Sequence, residues 1–175
     1  MKKAVLLSIK PQWCDKILRG EKTIEIRKGR PYLKTPFRCY IYCSKAPKGW
    51  VRMDNIQLDR KVIGEFTCEK IQNIFHIGYM GQRDSFYCTA DQNHNIDLWQ
   101  EELLKKSAMN LGELDQYLHG KGFAWYTSGL KVYDKPMDIT EFTGLKNFHG
   151  IMDVNPVEKP PQSWRYVLEL KEEPF

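Results

Sequence analysis

Residues 20–28 read Gly-Glu-Lys-Thr-Ile-Glu-Ile-Arg-Lys, and this segment limits the folds open to the chain more than any other. Charged residues alternate there with β-forming ones, directly after an amphipathic stretch that ends at Gly20. Alternation of period two belongs to a strand, with Thr23, Glu25 and Arg27 on one face and Lys22, Ile24, Ile26 and Lys28 on the other. A strand that carries a carboxylate and a guanidinium, entered from a helix closed by glycine, can hold fixed charges at the rim or floor of a cavity. Taken alone, the pattern also suits a solvated edge strand whose opposite charges screen each other.

The surrounding elements favour a mixed fold in which strands dominate. Ala4 to Ile9 reads as a buried strand, and Lys10-Pro11 opens a helix, because proline is tolerated at the first helical position. Trp13, Ile17 and Leu18 form its expected apolar stripe and Gly20 its stop. Further strands are expected at Phe37–Ser44, Val62–Phe75, Phe123–Tyr133 and Trp164–Leu170. The stretch 46–59 reads as a loop or insertion. Residues 76–93 read as irregular, Ile96–Met109 as a helix, and Pro136–Gln162 as mostly loop. Asn110-Leu-Gly-Glu113 has the form of a capping box that opens a second short helix. Strands not regularly separated by helices predict an α+β domain built on a curved sheet or small barrel. One domain over 1–175 is expected, with 76–122 as a loop and helical insertion.

A chain of 175 residues that is 42% apolar and 13% aromatic can bury a core of this kind. It holds no run of eighteen apolar residues, which excludes a membrane-spanning helix. The apolar stretch Ala4–Ile9 is too short for a signal peptide. Cys14, Cys39, Cys43, Cys68 and Cys88 are odd in number and form no C-x-x-C pair, while the four histidines stand singly. Buried reduced thiols, no metal, no cofactor and a cytoplasmic location are therefore expected. The net charge of +5 permits contact with phosphate. Cations crowd the first thirty-four residues, where only Asp15, Glu21 and Glu25 oppose them.

Leu7-Ser-Ile-Lys-Pro11, the helix to Gly20 and the spacing G-x-K-x-x-E-x-R, met by Gly20, Lys22, Glu25 and Arg27, resemble the ASCH domain family of the PUA-like superfamily. Tyr40-Ile-Tyr42-Cys-Ser-Lys45, Val62-Ile-Gly64-Glu65-Phe66 and Ser163-Trp-Arg-Tyr-Val-Leu168 extend the similarity along the chain. The resemblance implies a small PUA-like β-barrel flanked by helices, with a ligand cleft between the first helix and the sheet. It also implies RNA, a nucleotide or a nucleoside as partner. Some members are described as ribonucleases, and some small ones remove an acyl group from the exocyclic amine of cytidine. This chain has Glu25 where that hydrolase pattern has its Thr nucleophile.

Three readings follow: RNA or nucleotide binding with metal-independent ribonuclease activity, amidohydrolysis of N-acylated cytidine, or non-catalytic reading of a modified base. Lys22, Glu25 and Lys45 are the catalytic candidates. Lys22 would meet phosphate or a developing oxyanion, and Glu25 or Lys45 would move protons. Lys10, Arg27, Tyr42, Ser44, Ser128, Ser163 and Trp164 are the ligand-binding candidates. Arg27 offers a planar fork for phosphate, Lys10 stands at a helix entry, and Trp164 can stack on a base or fill the core.

Overall fold

Ala4, Val5, Leu6 and Leu7 expose no surface, so β1 (Lys3–Ile9) is covered on both faces. The computed structural model describes residues 2–48, 58–78, 86–148 and 151–171. They pack as two units, each assembled from separated segments: 1–18, 37–67 and 129–175 in the first, 19–36 and 68–128 in the second. The long strands β4 (Lys61–Ile77) and β7 (Lys121–Met137) each pass from one unit into the other.

In the first unit, β1 pairs in parallel with β3 (Phe37–Cys43) and antiparallel with β10 (Trp164–Leu168). β10 in turn pairs with β8 (Thr143–Phe148), and β8 with β9 (Ile151–Pro156). Ala4, Leu6, Tyr40, Tyr42 and Val167 from these strands build one core with Val62 of β4 and with Phe142 and Val157, which flank the β8–β9 pair. Helix α1 (Pro11–Leu18) follows β1. The Lys10 carbonyl accepts from the amides of Trp13 and Cys14, so the helix starts at Pro11 as expected. Its buried stripe is Pro11, Cys14 and Ile17, while Trp13 and Leu18 are only half-buried. Gly20 follows with φ of 73°, the left-handed conformation that ends a helix at little cost for glycine.

In the second unit, β2 (Ile24–Arg27) pairs antiparallel with β7, and the second half of β4 pairs with β5 (Phe86–Ala90), which pairs with β6 (Ile96–Trp99). Helices α2 (Gln100–Ser107) and α3 (Leu111–Leu118) close over this sheet. Ile24, Ile26, Ile74, Tyr87, Leu98, Leu103, Leu114, Leu118 and Ala124 form its core. The Asn110–Glu113 capping box forms as expected, with both reciprocal bonds at 2.9 Å.

Several expectations need correction. The strand order is open at both ends, so among the described residues the sheet is not a closed barrel. Residues 86–99 are not irregular or helical but two strands. Leu98 lies opposite Thr89, its amide bonded to the Thr89 hydroxyl at 3.0 Å, and the helix begins only at Gln100. Within segment 76–122, Leu98, Leu103, Leu114 and Leu118 lie in the core of their unit. Within 136–162, β8 and β9 form an antiparallel hairpin in place of the expected loop, with Leu145 opposite Val154. The expected loop at 46–59 lies largely outside the described residues.

The approach of β7 to β2 depends on the absence of a side chain at Gly122. A Cβ there would stand 2.8 Å from the Arg27 carbonyl oxygen and would overlap the Leu118 side chain. Gly122→Ala is expected to destabilise the protein by about 1–3 kcal/mol through overpacking. A urea midpoint equal to that of the parent would contradict this close approach.

Candidate functional site

All four residues of β2 are buried, although two of them are charged. Ile24 and Ile26 face the apolar core of the second unit, and Glu25 and Arg27 occupy the opposite side of the strand. Arg27 Nη2 lies 2.9 Å from Glu25 Oε1, and Lys22 Nζ lies 3.4 Å from Glu25 Oε2. Each carboxylate oxygen thus faces one cation. The three residues are only 4–6% exposed. The register sets Trp125, wholly buried, opposite Glu25 on β7.

Strict alternation puts Lys22 on the face opposite Glu25, and the structure corrects this. The strand begins at Ile24, so Lys22 lies before it and is free of its parity. Its position is set by α2. The ammonium donates to the Ser107 carbonyl at 2.8 Å, and the Thr23 amide donates to the Lys106 carbonyl at 2.9 Å. These carbonyls belong to the last turn of a helix, where they have no intrahelical partner and carry the negative end of the dipole. An ammonium and an amide satisfy them.

Helix α3 adds Tyr117, which the sequence reading did not single out. Burial pushes its phenol above the ordinary value of 10.0, with Arg27 opposing and Glu25 adding to the shift. Lys28 Nζ lies 5.4 Å from the centre of its ring. Beyond β2 the chain turns outward. Lys28, Arg30 and Lys34 are exposed, and Tyr32 between them is 97% exposed, while Pro31 is buried and anchors the segment. This alternation of cations with an aromatic was legible in Arg30-Pro-Tyr-Leu-Lys34.

Lys10, Tyr42, Ser44, Lys45, Ser163 and Trp164 belong to the first unit. Three of them meet at one end of its sheet: the Ser44 amide donates to the Ile9 carbonyl at 2.8 Å, beside Lys10. The Ser8 amide donates to the Ser163 carbonyl at 2.9 Å. Lys10 and Lys45 are exposed there. Tyr42 lies in the apolar core, and its phenol is pushed up chiefly by burial. Trp164 is half-buried, edge-on to Tyr166 at 5.3 Å between ring centres. Ser128, in the second unit, is exposed and donates to the Glu69 carboxylate. All five cysteines are buried, and burial raises the Cys68 thiol to about 12.

Comparison with solved structures identifies the fold. An ASCH protein of Zymomonas mobilis superposes with a TM-score of 0.56 at 17% identity, covering 95% of this chain and 88% of that one. Two single-substitution variants of the same protein give TM-scores of 0.54 and 0.53, also at 17% identity. They cover 96% and 95% of this chain and 92% and 89% of theirs. The chain adopts the ASCH fold. No family model and no curated protein sequence matches it.

Two predictions test the buried cluster. Glu25→Gln leaves two cations enclosed without their counter-charge and is expected to cost about 3–5 kcal/mol. Lys22→Met, which leaves the Glu25–Arg27 pair intact, should cost less. Urea unfolding of the two variants checks the order, and a reversed order would contradict the geometry.

Tyr117 provides a pH test. A phenol raised in the folded state contributes stability that is complete below its unfolded value of 10.0 and is lost as pH climbs through the folded one. Absorbance titration should therefore show one fewer late-ionising phenol in Tyr117→Phe than in the parent. Loss of a phenol that titrates at or below the ordinary value would contradict the burial.

Proposed function

We propose that this chain binds single-stranded RNA or a nucleotide through the segment that leaves β2. The observation that carries this reading is Tyr32, 97% exposed among the exposed cations Lys28, Arg30 and Lys34. Recognition of single strands combines cations that track the backbone with an aromatic face on which a base stacks. The ASCH fold supports the same class of ligand through the resemblance of its motif residues to that family. In this reading Lys22, Glu25 and Arg27 hold the root of the binding segment and contribute one net positive charge beneath it. Both Glu25 oxygens already face cations, and Glu25 and Lys22 are almost wholly withdrawn from solvent. That closure favours binding over ribonuclease action at Glu25, and it equally disfavours hydrolysis of N-acylated cytidine there.

Anisotropy of a labelled single-stranded RNA tests the proposal. Log affinity should fall linearly with log salt, and Lys34→Ala should lower the slope by about 0.7. Tyr32→Ala should weaken binding by the roughly 1–3 kcal/mol that one stacked base contributes. The recovered RNA should be intact. No binding at low salt, or an affinity unchanged by Tyr32→Ala, would overturn the reading.

A further inference from the structure

We infer that the first unit carries a phosphate-binding cleft between β8, β9 and the start of β10. A hollow of about 400 Å³ is lined there by Lys146, Asn155, Glu158, Lys159, Arg165 and the bare backbone of Gly144. That volume falls within the roughly 300–1,000 Å³ of small-molecule sites. Three cations face one carboxylate. Among the described residues, neither Lys146, Lys159 nor Arg165 forms an ion pair. Arg38 of the same unit, by contrast, is paired to both Glu65 and Glu169 at 3.3 Å.

Arg165 is the centre of the site. It lies opposite Leu6 in the β1–β10 ladder, and its Nε atom is buried without a hydrogen-bond partner. Nε is closed off, so an anion in the hollow would meet the guanidinium through its Nη groups, the donors of a bidentate contact. Gly144 makes the arrangement possible. A Cβ at that position would stand 2.8 Å from Arg165 Cζ and closer still to Nη2, so the guanidinium in this position lies against a backbone without a side chain and an alanine there would push it aside. A planar fork held in this way, with two ammonium groups on the same walls, matches the oxygens of a phosphate group. The remaining volume, with Asn155 and Glu158 on its walls, suits the sugar hydroxyls of a phosphorylated small molecule such as a nucleoside monophosphate.

The site shares no residue with β2 or the segment after it, so it is independent of the RNA reading. Calorimetric titration of the full chain with inorganic phosphate and, separately, with adenosine 5′-monophosphate tests it. Both ligands should bind, the nucleotide more tightly. If phosphate binds and the nucleotide does not bind more tightly, the proposal of a phosphorylated small molecule is overturned. Arg165→Gln and Gly144→Ala should each lower phosphate affinity by about tenfold or more, the second by displacing the guanidinium. Lys159→Ala, in an exposed stretch where folding is not at stake, should lower it several-fold. Lys121→Ala, an exposed cation of the other unit, should not change it. Absence of phosphate binding, or affinity unaltered by both Arg165→Gln and Lys159→Ala, overturns the proposal.

Discussion

Glu25 sits between Lys22 and Arg27 in a place closed to water, and the second unit is organised around that enclosure. Three ionic groups removed from solvent lose several kcal/mol of hydration each, and only close mutual geometry offsets the loss. The geometry draws on three distant parts of the chain. β2 supplies the carboxylate and the guanidinium, and the last turn of α2 fixes the ammonium through the Ser107 carbonyl. β7 approaches closely enough to cover them because position 122 has no side chain. A strand of four residues is short for a stable sheet element. This one is held from both faces, by an apolar core on one side and an ionic cluster on the other.

Much of this was legible in the sequence because the signals are local. Pro11 opens the first helix, Gly20 ends it, and Asn110 with Glu113 caps the third, each through a bond or a φ angle set within a few residues. The convergence of Glu25 and Arg27 followed from period-two alternation. Lys22 escaped that logic because its place is set by a helix 85 residues away, which no spacing within the motif encodes. Tyr117 was missed for the same reason. The strands at 86–99 were hidden because their pairing depends on contacts such as Thr89 with Leu98, and β6 alone is only four residues long. The β8–β9 hairpin was hidden by turn-forming residues, Gly144 and Pro156 among them, whose register with each other is a tertiary fact.

The two units treat charge differently. In the second, one buried carboxylate is shared by two buried cations, which leaves one net positive charge, and Lys28, Arg30 and Lys34 lie exposed with Tyr32. In the first, Arg38 is consumed by carboxylates while Arg165 is held against bare backbone with its Nε unsatisfied.

The most direct test of the enclosed charge cluster is a double-mutant cycle between Lys22→Met and Glu25→Gln, read as unfolding free energy in urea. If the ammonium and the carboxylate interact as described, the two substitutions are non-additive by about 0.5–3 kcal/mol, the range for residues in one charge network. Additive effects would mean that the two groups do not meet, and the buried cluster on which β2 rests would be contradicted.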